Sequence, residues 1–207
     1  CGNPTTELID EQIKVTYDVC HNCDFISKQE QFILTGELEK DRYDQHNNAD
    51  MEEEGYVNIF RNLIKLHVRP LKNVKKVLDF GSGPYPMFKK ILNQEGYETD
   101  IYDLFYHKND DYKSNMYDLI TSTEVLEHVK NPLPTIEGLL EYIRPNGYLI
   151  IMTLFNKDTD NFLKWWYRRD PTHIVFFNMK TFEYIAKKLN LEILSHNDKN
   201  VVVFQKQ

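Results

Sequence analysis

The sequence predicts an α/β protein with a mainly parallel sheet, helices on both faces and an antiparallel hairpin at its C-terminal edge. Three observations carry that prediction. From residue 55 onward, short apolar strand-like runs alternate with helical runs, the pattern of a parallel sheet with crossover helices. One of these strands runs straight into Gly81-Ser82-Gly83, the kind of turn found at the ligand-binding end of such sheets. The last two strand-like runs are joined by a short polar turn, which makes them an antiparallel pair.

The elements follow in order. Residues 1–30 alternate weakly at Ile13, Val15, Tyr17 and Val19 and turn through Cys20-His21-Asn22-Cys23, a hairpin with a cysteine knuckle. Residues 31–55 are polar and charged and read as a lid or linker. Residues 56–207 form the main domain. It opens with a helix over Tyr56–Val68, apolar on one face and stopped by Pro70. Lys76–Phe80 is a buried strand, and Tyr85–Gln94 the helix after it. Glu98–Asp103 and Tyr117–Ser122 are further strands, the latter leading into a helix at Glu124–Val129. Asn131 and Pro132 suit the cap and first position of a helix to about Ile143. Pro145-Asn146-Gly147 turns into the strand Tyr148–Leu154. A helix at Thr181–Leu189 precedes the strands Leu191–Ser195 and Val201–Phe204.

Composition narrows the function. The chain has 207 residues, 41% of them hydrophobic, too apolar for disorder and long enough to bury a core. Its 25 basic against 32 acidic residues give a formal charge of −7, a poor match for nucleic acid. No apolar run approaches the roughly 20 residues of a membrane span, and no basic-then-apolar leader opens the sequence, so a cytoplasmic enzyme with a small-molecule acceptor is expected.

The turn at Gly81 sets the cofactor class. A dinucleotide fold wants a third glycine where this chain has Pro86, and Asp79 would repel a pyrophosphate. Beside a cationic amino acid, Asp79 is well placed. Asp103 ends the next strand, where a carboxylate can accept both hydroxyls of a ribose. An adenosine ligand bearing an amino acid and no phosphate satisfies both.

At these residues the sequence resembles the class I S-adenosylmethionine-dependent methyltransferases. The resemblance rests on V-L-D-F-G-S-G-P at 77–84, Y-D at 102–103, Y-D-L-I-T-S-T-E-V-L-E-H-V at 117–129 and I-R-P-N-G-Y-L-I-I-M-T at 143–153. It implies a Rossmann-like, seven-stranded sheet, with Asp79, Gly81, Ser82 and Gly83 around the methionine part of S-adenosylmethionine, Asp103 on the ribose and Glu124 near the crevice. Segments 42–48 and 165–177 resemble a zinc-ribbon-bearing branch of these enzymes. A non-catalytic methyltransferase-like binding module and a nicotinamide-dependent dehydrogenase are the alternatives, the second disfavoured by Pro86 and Asp79.

Methyl transfer needs alignment more than catalytic groups, at most a base for the acceptor. His173 is the candidate base, equally readable as a loop-stabilising histidine. Trp165, Trp166 and Tyr167 wall an acceptor pocket or belong to the core. Arg168 and Arg169 receive an anionic group or lie in solvent. On a helix, Glu124, Glu127 and His128 would share a face, and with His173 they would make a divalent-metal set. That arrangement resembles the small-RNA 3′-terminal ribose methyltransferases and, in part, the ubiquinone-pathway O-methyltransferases, which implies a metal-assisted hydroxyl O-methyltransferase as a further alternative. The same segment also occurs without metal, and that reading is preferred. Tyr43, His46 and Asn47 are candidate lid residues over the cofactor.

Cys1, Cys20 and Cys23 fit three ligands of a structural zinc ribbon. The resemblance implies a fourth cysteine before Cys1, outside the sequence. His21, between the knuckle cysteines, would have to point backwards to replace it.

Overall fold

A computed structural model describes residues 1–45 and 54–207. The lid candidates His46 and Asn47 lie outside the described residues, as does the side chain of Tyr43. Among the described residues, no helix is long and apolar enough to cross a membrane.

Two sheets organise the chain. The main sheet has the order β5-β4-β6-β7-β10-β9, built from β4 (Lys76–Phe80), β5 (Glu98–Tyr102), β6 (Tyr117–Thr123), β7 (Ile143–Met152), β9 (Leu191–His196) and β10 (Val201–Lys206). The pairs β4–β5, β4–β6 and β6–β7 are parallel, while β10 runs antiparallel to both β7 and β9. The expected C-terminal hairpin is therefore present at the sheet edge. The sheet has six strands among the described residues, as the residue pattern indicated, and not the seven implied by the family resemblance. Residues 103–116, between β5 and β6, hold an isolated bridge between Asp103 and His107 and a 3-10 turn at Asp111–Ser114. A parallel connection already consumes about a dozen residues, so no further strand fits there.

Helices α3 (Met87–Gln94), α4 (Pro132–Leu140) and α5 (Met179–Leu189) follow the alternation read from the sequence. Helix α2 (Glu54–Leu63) continues as a π turn over Ile64–Val68. The core divides into one apolar cluster around Leu78, Ile120, Leu149 and Phe204 and another around Val77, Leu119, Ile150 and Val203. Successive strand residues point to opposite faces, so neighbours such as Val77 and Leu78 fill different clusters.

The expected helix at Glu124–Val129 is not formed. Only Leu126–His128 makes a 3-10 turn, because Glu124 takes a left-handed φ of 53° and its N–H donates to the Met152 carbonyl at 2.7 Å, continuing the strand. Pro132 then disfavours helical backbone in the residue before it.

The second sheet has the order β1-β2-β3-β8 and is antiparallel. Its strands β1 (Thr6–Asp10), β2 (Val15–Val19) and β3 (Ile26–Lys28) come from the N-terminal ribbon, and β8 (Val175–Phe176) from the other end of the chain. Tyr17, Ile26, Phe162, Tyr167 and Phe176 pack beneath it as a third apolar cluster. Helix α1 (Gly36–Gln45) links the ribbon to the main domain.

Candidate active site

The chain leaves β4 toward β5 on one side and returns to β6 on the other, so the strand order reverses at β4. A crevice forms at such a reversal, outside the carboxyl ends of the strands. A cavity of about 420 Å³ lies there, lined by the turn after β4, the end of β5 and the loop after β6. That size suits a nucleoside-sized ligand.

The glycine turn has two distinct causes. Gly81 has φ 88°, and a Cβ there would stand 2.2 Å from Val125 Cγ2. Its glycine thus serves close packing of the loop after β6, and the residue also lines the cavity. Gly83 has φ 66°, and nothing lies within 4 Å of where its Cβ would be. The turn is tied to β5 by the Gly81 and Ser82 N–H groups, which donate to the Tyr102 carbonyl at 2.7 and 3.1 Å.

Asp103 is held firmly beside this turn. Its Oδ2 accepts the Gly83 N–H at 2.9 Å, and its Oδ1 accepts those of Phe105 and Tyr106 at 2.9 and 3.1 Å. A carboxylate has about four lone-pair sites, so capacity remains on Oδ2 for a hydroxyl donor. Asp79 lines the same cavity but is 1% exposed. Burial pushes its carboxyl up to about 7, against a hydrogen bond from Thr121 that favours the charged form, with the nearby Asp103 charge adding to the rise. A cation in the cavity would reverse that balance.

Glu124 lines the cavity as well. It is exposed where it faces the cavity, while protein crowds its carboxylate against Glu127 and Tyr167. That crowding, and next the charge of Glu127, raise its carboxyl above the ordinary range. Glu127 is fully buried and is raised chiefly by that burial. The Tyr167 hydroxyl approaches both, at 2.9 Å from Glu124 Oε2 and in a short hydrogen bond to Glu127 Oε1. Glu127 Oε2 is buried with no hydrogen-bond partner among the described residues.

Two imidazoles complete this corner. His128 Nδ1 meets the Thr172 carbonyl at 2.9 Å, and His173 Nδ1 meets the Tyr167 carbonyl at 2.8 Å. A carbonyl only accepts, so each Nδ1 carries the proton and each Nε2 holds the lone pair. Ligating atoms of Glu127, His128 and His173 lie within 4.8 Å of one another. His128 lines the cavity; His173 stands behind it, ring centroids 4.8 Å apart, and does not line it. Burial, then the neighbouring His128, lower His173 to about 4, which keeps it neutral at pH 7. Glu124 is thus brought to this cluster by a strained turn and not by the shared helix face expected from its spacing.

Other expectations separate. Arg168 is 1% exposed, so it neither receives an acceptor nor lies in solvent, whereas Arg169 is exposed. Trp165 packs on Tyr167 and Phe176, while Trp166 is 65% exposed. The thiol of Cys1 lies 3.2 Å from Cys20 Sγ and 3.4 Å from Cys23 Sγ, an apposition that a thiolate-binding metal would relieve. His21 Nε2 instead meets Thr6 Oγ1 at 2.7 Å, so it is turned to β1. On α1, Asp44 accepts the Tyr106 hydroxyl at 2.7 Å, and Glu39 lines the cavity. Sequence reasoning missed the partnership of Tyr167 with the two glutamates; the only signal was a tyrosine inside a polar-aromatic segment.

A glycine turn at the strand-order reversal, faced by a carboxylate just after the next strand, places the chain among α/β domains with a crevice at the switch point of the sheet. The family model described as "Methyltransferase domain" matches residues 48–196, most of the sequence, and the chain belongs to that family, the class I S-adenosylmethionine-dependent methyltransferases. Two curated relatives named ubiquinone biosynthesis O-methyltransferase are similar over shorter stretches. The one from Shewanella pealeana is 29% identical over 37% of this chain and 33% of its own. The one from Photobacterium profundum is 28% identical over 42% and 36%. The chain thus spans about a third of the length of the curated relatives it matches. Among solved structures, a SAM-dependent methyltransferase from Archaeoglobus fulgidus shares the fold with TM-score 0.57 at 14% identity, covering 76% of this chain and 97% of that one. An O-methyltransferase family protein from Burkholderia thailandensis does so with TM-score 0.55 at 12% identity, over 80% and 59%.

Proposed function

We propose that the chain transfers a methyl group from S-adenosylmethionine to a small-molecule acceptor. The observation that carries this reading is the cavity at the strand-order reversal, lined by Asp79, Gly83, Asp103 and Glu124. The cofactor, when bound, supplies an electrophilic methyl on a sulfonium. The residues fit it: Asp103 keeps capacity for the ribose hydroxyls, Gly81, Ser82 and Gly83 border the methionine part, and Asp79 takes up its ammonium in the ionised form. Glu124 stands at the acceptor side. Tyr56, Phe80 and Tyr102 supply apolar wall that excludes water. Helix α1, held by Asp44 to Tyr106, acts as the lid. The charge of −7 suits a small-molecule enzyme of the cytoplasm.

Calorimetry with S-adenosylmethionine and S-adenosylhomocysteine tests the reading. Micromolar binding of either supports it. Absence of binding to zinc-replete protein leaves the fold and removes the enzyme.

A second reading, transfer to a hydroxyl with help from a divalent ion, is favoured by one observation. The orphaned Glu127 Oε2 sits among two imidazoles whose Nε2 atoms are acceptors. Such a donor set suits a borderline divalent ion, and histidine ligands commonly donate their other nitrogen to a carbonyl. Glu127, His128 and His173 would hold the ion with Glu124 beside them, and an ion there would polarise an acceptor hydroxyl. His173, behind His128 and off the cavity, would serve this ion as a ligand and not the acceptor as a base. The names of the curated relatives favour oxygen as the acceptor atom. Separately, Cys1, Cys20 and Cys23 would hold a structural zinc, completed by a ligand from outside this cluster.

A further inference from the structure

The chain between Trp165 and Ile174 lies between two bodies and is bound on both sides. Its inner side carries Tyr167 and His173 and meets the main domain: Tyr167 bonds Glu124 and Glu127, and the Thr172 carbonyl accepts from His128. Its outer side is fastened to the N-terminal ribbon. Arg168, fully buried, pairs its charge with Asp10, Nε standing 3.1 Å from Oδ2 while the Nε–H itself donates to the Leu163 carbonyl at 2.9 Å, and it donates through Nη2 to Gln12 Oε1 at 2.8 Å. Asp10 Oδ1 in turn accepts the N–H groups of Gln12 and Ile13, so the same carboxylate closes the β1–β2 turn. Lys28, 5% exposed, donates Nζ to the Pro171 carbonyl at 2.9 Å and its backbone N–H to the Ile174 carbonyl at 2.7 Å.

A buried guanidinium and a buried ammonium are costly choices where apolar side chains would pack, and both are used on one short strap. Planar guanidinium geometry fixes orientation as well as distance. Among the described residues, the Asp103 carboxylate takes its hydrogen bonds from the turn and from the loop after β5, not from the ribbon.

We propose that the ribbon is the positioning element of the acceptor half of the site: Asp10 and Lys28 act, through Arg168 and Pro171, to set where Tyr167 and His173 stand against Glu124, Glu127 and His128. Arg168, Asp10 and Lys28 are positioning residues, with no role at the cofactor. The word acceptor rests on the methyl-transfer reading above, but the readouts below need no turnover.

Two variants test it, Arg168→Met and Lys28→Met. Both tryptophans, Trp165 and Trp166, lie in the strap, so tryptophan quenching by acrylamide reports on it alone. The imidazole ¹⁵N spectrum reports whether His128 keeps its single Nδ1–H form, which depends on the Thr172 carbonyl reaching it. Well below the melting temperature, a residue that only adds stability moves neither. The expected result is increased quenching and a mixed His128 tautomer, with S-adenosylhomocysteine affinity unchanged. If Arg168→Met fails to fold, Lys28→Met decides. Wild-type quenching and a pure Nδ1–H form in the folded variant overturn the proposal. So does a loss of S-adenosylhomocysteine affinity in a folded variant, because the ribbon would then act on the whole domain. A wild-type protein that binds no S-adenosylhomocysteine defeats the methyl-transfer reading alone; near-UV circular dichroism then checks the fold and the two strap readouts still decide.

Discussion

The hydroxyl of Tyr167 lies 2.9 Å from Glu124 Oε2 and also bonds Glu127, so one donor hydrogen faces two carboxylates. Tyr167→Phe removes that hydrogen and leaves the two acidic groups to oppose each other. S-adenosylhomocysteine affinity should be retained, while divalent-ion affinity or turnover should fall about 10–100-fold, the usual cost of losing a group that orients ligands. Manganese titration followed by electron paramagnetic resonance checks the first quantity. Unchanged binding and turnover would remove Tyr167 from the site.

The two glycines of the turn should respond differently. Gly81→Ala meets both a left-handed φ and Val125 Cγ2 at 2.2 Å, whereas Gly83→Ala meets only the φ. A left-handed residue with Cβ costs about 1–2 kcal/mol, and overpacking adds about 1–3 kcal/mol more. Urea denaturation should therefore find Gly81→Ala the less stable by a clear margin. Equal midpoints would show that Val125 moves aside freely.

Asp79 gives a pH prediction with a definite sign. Its carboxyl titrates at about 7 in the fold against an ordinary 3.8, so the folded state holds the proton more tightly. That contribution to stability is complete below 3.8 and is lost as pH rises through about 7. Between pH 5 and pH 7.5, Asp79→Asn should flatten the fall in melting temperature with pH relative to the parent protein (about the window set by those two values). S-adenosylmethionine should take up the ionised form, so its binding near pH 6 should release protons, measurable as a buffer-dependent calorimetric heat. No buffer dependence would separate Asp79 from the ammonium.

The cysteine cluster should bind about one zinc ion per chain, held by three thiolates and a fourth ligand from outside the cluster. Cys20→Ser or Cys23→Ser should abolish retention of zinc through gel filtration, read by a colorimetric chelator, and lower the melting temperature. Stoichiometric zinc in both variants would place the ion elsewhere.

What the sequence disclosed was local. The strand into Gly81-Ser82-Gly83 and the acid at Asp103 were legible because each depends on residues close along the chain. Six strands were legible for the same reason, and the seventh, taken from the family, failed because residues 103–116 are too few. Glu124–Val129 misled because i, i+3, i+4 spacing describes a helix only where the backbone permits one, and Glu124 is left-handed. Arg168 was illegible: its burial depends on Asp10, which lies at the other end of the chain. No local pattern announces a partner that distant.

The pairing of β3 with β8 has a consequence for synthesis. Ile26 finds its partner Phe176 only after the long stretch of chain between them has been made. Until then the outer edge of β3 has no strand to receive its hydrogen bonds, and Asp10 has no guanidinium. An emerging chain thus carries an open sheet edge next to a knuckle of cysteines, the kind of edge that recruits other strands. Translation that stops before residue 175 therefore leaves the outer edge of β3 without its partner strand.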